Sequence, residues 1–140
     1  MPGWWRVAVP SEATELEIPG NGGSRRDAVD RLRSLDRGAL VALRDARPAS
    51  WLRTRSFIAR AGLRLEKEFV AIPGFDSPGF LVEANRLAFR HFFTRVLYMP
   101  TGDWRGVVGA GLAARLAAGG LGWRIAAALA PARIVIARKV

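Results

Sequence analysis

The chain has 140 residues, of which 50% are hydrophobic and 24% charged, and its net charge is +10. This length accommodates a single domain with a hydrophobic core, here taken as residues 1–140, and the composition excludes an intrinsically disordered chain. The absence of cysteine excludes disulfides, thiolate zinc sites and thiol catalysis, and a single histidine excludes a multi-histidine metal site.

The first elements in chain order are two short predicted strands at residues 4–10 and 14–18. The second is half polar, which is typical of a strand at the edge of a sheet. A glycine-rich loop follows at residues 19–23. A helix is then predicted to begin with Ser24 as its cap and Asp27 at the reciprocal position of a capping box.

The next stretch has the pattern of a strand–helix–strand unit. Residues 39–43 form a short apolar run, typical of a strand that is covered on both faces. Ser50 is predicted to cap a helix that stops at Gly62, and residues 63–72 return as a strand. Strict alternation along that second strand separates two predicted faces: Leu63, Leu65, Phe69 and Ala71 on one, Val70 and Ile72 on the other.

These units predict an open α/β sheet. We expect residues 39–43 at its centre, flanked by residues 63–72 and by a final strand at 133–137 that is antiparallel to one neighbour. The intervening segment is interpreted as a helical insertion over residues 74–131. It contains a predicted helix at 83–98.

Several of these segments resemble a known family. The run LDRGALVAL, the helix after it, the tripeptide AGL and a strand ending in VAIP resemble the C-terminal half of class I S-adenosylmethionine-dependent methyltransferases. The resemblance covers residues 24–73 and 132–140. It matches 39–43 to the fifth strand, 51–61 to the fifth helix and 63–72 to the sixth strand. It implies a partial Rossmann-like methyltransferase sheet with a helical insertion before the last strand, truncated or degenerate because the chain is short for a complete enzyme.

The glycine-rich loop is the first candidate site, because glycines before a helix N-terminus let backbone N–H groups approach a phosphate or S-adenosylmethionine. The candidate cofactor-binding glycines are Gly20, Gly22 and Gly23. Asp45 follows the next strand at the spacing at which an acid holds a ribose hydroxyl. Pro19 and Asn21 interrupt the alternating glycines of the family's first motif, so the expected cofactor site is incomplete. A plain glycine-rich turn is the alternative.

The aromatic segment after the predicted strand at residues 63–72 is the other candidate site. The resemblance implies a pocket for an acceptor substrate, with Asp76 orienting a polar group between walls formed by Phe75, Phe80 and Tyr98. The alternative is an aromatic core in which Asp76 stabilises a turn. His91 has no acidic partner at a triad spacing and is interpreted as a structural or surface histidine.

The positive charge leaves two further interpretations open. Arginine supplies twenty of the twenty-two basic residues, and these are scattered rather than clustered, which favours general basic bias over a nucleic-acid-binding stripe. Arg115, Arg124 and Arg133 interrupt the alanine-rich residues 106–136. A buried helix pair over residues 106–129 is therefore expected rather than a membrane span, with an amphipathic hairpin on an anionic membrane surface as the alternative.

The functional expectation is a methyltransferase-like domain, split or degenerate, that uses S-adenosylmethionine and acts on a small metabolite or sugar. Homo-oligomerisation or a partner protein could complete it. Whether the chain is an enzyme stays open. The alternatives are a non-catalytic accessory or protein-binding remnant of the fold, and a basic peripheral protein that binds membrane or nucleic acid. No metal is expected. The absence of a leader pattern favours a cytoplasmic location.

Overall fold

A computed structural model describes residues 3–72, 74–76, 79–92 and 122–140. They form a mixed α/β structure with one five-stranded sheet of order β1-β2-β5-β3-β4, which confirms the predicted α/β class. The strands are β1 (Thr14–Glu17), β2 (Leu40–Asp45), β3 (Leu63–Ile72), β4 (Phe80–Glu83) and β5 (Ala132–Lys139). The helices are α1 (Gly22–Arg33), α2 (Trp51–Arg60), α3 (Arg86–His91) and α4 (Gly122–Ala128), with a 3₁₀ helix at Trp4–Ala8.

The last strand lies at the centre of the sheet. β5 is antiparallel to both β2 and β3, and β1 is parallel to β2, so β1, β2 and β3 all run in the same direction. The expectation that residues 39–43 form the centre is wrong, as is the expectation of a single antiparallel neighbour. β5 takes the central position because its first six residues are all buried, which requires cover on both faces.

A β-bulge in β3 overturns the predicted alternation of its side chains. The register against β5 shifts between Leu65 and Lys67. The extra residue turns the later side chains over, so Val70 follows Leu65 on the face covered by helices, whereas Phe69 lies on the opposite face. Strict alternation is wrong for this strand because it assumes an uninterrupted ladder.

Helices α1 and α2 cover one face of the sheet. Their buried residues pack with Val41, Leu43 and Val135 in one apolar cluster. The opposite face is covered by the N-terminal 3₁₀ helix, whose Trp5 packs on Ile134 of the central strand. A strand at residues 4–10 was expected. In a strand, however, Trp4 and Trp5 would point to opposite faces, whereas both pack in the same cluster.

The helix ends agree only in part with the sequence-based expectations. Asn21, not Ser24, caps α1, because its Oδ1 accepts a hydrogen bond from the Ser24 backbone N–H at 2.9 Å. α2 begins after Ser50 as predicted, but no capping hydrogen bond from that side chain is present. Gly62 ends the turn after α2 with φ of +65°, a left-handed conformation that favours glycine.

The segment before β5 is not wholly helical. Its described part contains β4, which forms a hairpin with β3, followed by the short helix α3 capped by Asn85. Glu83 therefore ends a strand instead of beginning a helix. Residues 93–98 and 106–121 of the expected helices at 83–98 and 106–129 lie outside the described residues. Among the residues that the structure describes, no helix is long and apolar enough to cross a membrane.

Candidate functional site

The carboxyl ends of β1 and β2 meet at one edge of the sheet, where α1 and α2 begin. Because these strands are parallel, the glycine-rich loop after β1 lies beside the residues that follow β2. Arg47 connects the two, since its Nη2 donates to the Ile18 carbonyl oxygen at 3.3 Å. Gly20 lies under the same guanidinium, and a Cβ at this position would be 3.5 Å from Arg47 Nη1.

Asp45 ends β2 and is completely buried. Its Oδ1 accepts from Arg47 Nε at 3.0 Å and from the Arg47 backbone N–H at 3.1 Å. Its Oδ2 accepts from Arg47 Nη2 at 3.2 Å, from Arg53 Nε at 3.4 Å and from the Thr54 hydroxyl at 3.5 Å. Burial raises the pKa of Asp45, but the Arg47 hydrogen bonds and the nearby positive charges outweigh burial and hold that pKa below its usual value.

The predicted cofactor residues are thus only partly brought together. Gly20 and Asp45 lie on either side of Arg47. Gly22 and Gly23 form the first turn of α1, exposed, with no heavy atom within 4 Å of where a Cβ would stand. A ribose hydroxyl would have to displace Arg47 to reach the carboxylate of Asp45. As they stand, these residues do not fit S-adenosylmethionine.

Arginines dominate the charge of this edge. The pKa of Arg25, in the first turn of α1, is lowered first by burial and then by the positive charges of Arg47, Arg53 and Arg60. Sequence analysis missed this group because its members belong to three separate segments. Their only signal is position, since each follows a strand or begins a helix at the same edge of the sheet.

A second polar group is buried between the helices and the sheet, around Arg133 of β5. Its Nη1 donates to Glu68 Oε1 at 2.5 Å and its Nε to the Ser50 hydroxyl at 3.1 Å. Its Nη2 donates to the Ala127 carbonyl oxygen at 2.7 Å, at the end of α4. Every nitrogen of this guanidinium therefore has an acceptor, and the arrangement ties α2 and α4 to β3 and β5.

The predicted acceptor-pocket residues lie apart. Phe75 packs against Trp5, with ring centroids 5.6 Å apart, on the face opposite to α1 and α2. Phe80 packs edge-on against Phe92, at 5.2 Å, on the helix-covered face. Asp76 is exposed. Tyr98 lies outside the described residues, so the proposed pocket stays a prediction.

A cavity of about 180 Å³ lies beside Trp5, between the 3₁₀ helix and the strands β1 and β2. The guanidinium of Arg44 lies 4.8 Å from the centre of the Trp5 ring and forms an ion pair with Glu17. Arg6 is paired with Glu15 at 3.2 Å. Because these charges are matched in pairs, the cavity has no excess charge with which to select a ligand.

The remaining predictions concern the histidine and a metal site. His91 is exposed at the end of α3. In the part of the chain that the structure describes, no group of three or more His, Cys, Asp or Glu side chains could hold a metal ion.

Comparisons with models of protein families, with curated proteins and with solved structures found no match to this chain.

Proposed function

We propose that this chain is a methyltransferase-like domain, split or degenerate, derived from an S-adenosylmethionine-dependent enzyme that acts on a small metabolite or sugar. The observation that carries the proposal is the strand order. β1, β2 and β3 run in one direction, and only β5 is inserted between β2 and β3 in the reverse direction. A class I methyltransferase sheet arranges its last four strands in this way.

The placement of the helices supports the same proposal. α1 connects β1 to β2, and α2 connects β2 to β3 across the central strand. Both helices contribute to one apolar cluster on one face of the sheet, as expected when successive crossovers between parallel strands have the same hand. This agrees with the resemblance, in which β2, α2 and β3 match the fifth strand, the fifth helix and the sixth strand.

The charge at the carboxyl edge explains why we place the domain among split or degenerate members. S-adenosylmethionine carries a positive sulfonium group, whereas the edge near Gly20 carries several arginines and one carboxylate that is already engaged. β1 also forms one edge of the described sheet, and its polar residues suit that position. A complete site would require further strands beyond β1.

The experiment is a calorimetric titration of S-adenosylmethionine into the purified chain and three variants. We expect no measurable binding to the wild type. Arg47→Ala should gain binding, because it frees Asp45 and removes one positive charge. Adding Asp45→Asn to that variant should abolish the gain. Arg26→Ala, which removes an exposed arginine of the same helix as Arg25, is the matched control and should stay without binding.

Two outcomes would contradict the proposal. If Arg47→Ala folds, as circular dichroism would show, and still binds no S-adenosylmethionine, this edge is not the remnant of a cofactor site. If the wild type binds at micromolar concentration and Asp45→Asn abolishes binding, the site is complete and the domain is neither split nor degenerate.

A further inference from the structure

Some N–H groups of the arginines at the carboxyl edge of β1 and β2 have no hydrogen-bond acceptor among the residues that the structure describes. The Nε and Nη2 atoms of Arg25 and the Nη2 atom of Arg53 are buried from solvent and have no hydrogen-bond partner among the described residues. Arg47 and Arg53 already share the carboxylate of Asp45. Arg25 forms no ion pair with any described carboxylate.

Arg25 and Arg53 are partly buried as residues, and Arg133, which is fully buried, shows the usual arrangement of buried guanidinium nitrogens. Arg133 is fully buried, yet Glu68, Ser50 and the carbonyl oxygens at the end of α4 accept hydrogen bonds from all of its nitrogens. Buried donors without acceptors are uncommon because each lost hydrogen bond to water costs free energy. The contrast indicates that, among the residues that the structure describes, this cluster at the sheet edge has fewer acceptors than donors.

The chemistry of the unused donors suits an anion. Arg47 and Arg53 share the one carboxylate of Asp45, and Arg25 has no ion pair among the described residues, so positive charge is in excess at this edge. A negative group beside these guanidinium groups would reduce their mutual repulsion. A guanidinium donates pairs of parallel N–H bonds, a geometry that matches phosphate oxygens, and the unused nitrogens of Arg25 include such a pair.

We propose that Arg25, Arg53 and Arg47 bind the phosphoryl group of a small phosphorylated ligand at the edge where the glycine-rich loop meets the end of β2. Gly20 has no side chain here, and a Cβ at this position would be in van der Waals contact with Arg47 Nη1 at 3.5 Å. The proposal does not depend on methyl transfer, because its donors are arginines that the cofactor site would not require.

Inorganic phosphate is the probe. Calorimetry and thermal unfolding would compare wild type, Arg25→Gln and Arg26→Gln in phosphate and in chloride at equal ionic strength. Arg26 is the next residue of α1 and is exposed, so it is a control with the same change of charge. Because charge-assisted hydrogen bonds are lost, we expect Arg25→Gln to weaken phosphate binding about tenfold or more, and Arg26→Gln to change it by less than about twofold.

The unfolding temperature of Arg25→Gln also tests the proposal in the absence of ligand. In phosphate-free buffer, Arg25→Gln should unfold at a temperature equal to or above that of the wild type, because it removes an uncompensated charge. Phosphate should then raise the unfolding temperature of the wild type and of Arg26→Gln but not of Arg25→Gln. No specific response of the wild type to phosphate, or equal responses of the two variants, would overturn the proposal.

Two sources could supply the phosphoryl group, and a second arm separates them. Glycerol 3-phosphate in solution is compared with vesicles of phosphatidylcholine that contain phosphatidic acid. If the wild type binds glycerol 3-phosphate and Arg53→Gln weakens that binding, the site is assigned to soluble ligands. If the wild type does not bind glycerol 3-phosphate but sediments with the phosphatidic acid vesicles, and Arg53→Gln no longer sediments with them, the site is assigned to a lipid headgroup. Sedimentation that Arg53→Gln leaves unchanged would contradict a role of the cluster.

Discussion

Arg133 of the central strand donates to Glu68 of the neighbouring strand at 2.5 Å, and both side chains are buried. Glu68 also accepts from Arg55 of α2 at 2.7 Å. The two carboxylate oxygens of Glu68 thus connect β5 and α2 on the face of the sheet that α1 and α2 cover. Burial lowers the pKa of Arg133, and the charge of Glu68 opposes that effect.

Removing Glu68 should destabilise the domain severely. Glu68→Ala leaves the buried Arg133 guanidinium without its charged partner, and breaking a buried pair on one side costs about 3–5 kcal/mol. Urea unfolding followed by circular dichroism measures the loss. Glu66→Ala is the control, because it removes a carboxylate that is paired with Arg138 at the same distance, but at an exposed position. An equal loss in both variants would contradict the structural role of the buried pair.

Asp45 should make stability depend on pH in the acid range. Its folded pKa is lowered below the ordinary value of 3.8, so its contribution is fully present above that value and disappears as the pH falls through the folded pKa. Asp45→Asn should therefore be less stable than the wild type near pH 7. The difference should shrink towards pH 2, as unfolding free energies across this range would show. Asp36→Asn, at an exposed turn, is the control for the removal of one carboxylate.

Trp5 should contribute strongly to stability although it lies outside the sheet. It is 5% exposed and covers Ile134 and Ile136 of the central strand, so Trp5→Ala should cost about 3–5 kcal/mol. Val7 in the same 3₁₀ helix is 87% exposed, and Val7→Ala should change the unfolding free energy little. If Trp5→Ala were as stable as Val7→Ala, the 3₁₀ helix would not be the cover of this face.

Two glycines should respond in opposite directions to alanine. Gly62 has φ of +65°, and a Cβ there would lie 3.1 Å from Lys139 Nζ, so Gly62→Ala should cost about 1–2 kcal/mol. Gly23 lies in α1 with open space around it, so Gly23→Ala should stabilise the domain by up to about 1 kcal/mol. Thermal unfolding of the two variants measures the difference, and a loss of stability in both would contradict the helical assignment of Gly23.

The sequence predicts those parts of the fold that depend on neighbouring residues. The apolar run of β2, the start of α2 after Ser50 and the stop at Gly62 are all determined within a few residues. The position of β5 between β2 and β3 depends on pairing between distant segments, for which a single sequence carries no periodic signal. The bulge after Leu65 is also determined by the partner strand.

The candidate site was also predicted only in part. The rule that parallel strands end at one edge places Asp45 near the glycine-rich loop, and the structure has both there. The pairing of the Asp45 carboxylate with Arg47 could not be predicted. Arg47 is one of twenty arginines, and only the folded chain shows which of them meet Arg25 and Arg53.

The position of β5 at the sheet centre also determines when the domain can fold. β2 and β3 have no direct ladder to each other, so both keep an unpaired edge until residues 132–139 have left the ribosome. During synthesis these apolar strands therefore expose open edges for a long time, which favours misassembly between nascent chains. Folding should occur late and in one step, and mutations in β5 should slow it more than equally destabilising mutations in the 3₁₀ helix.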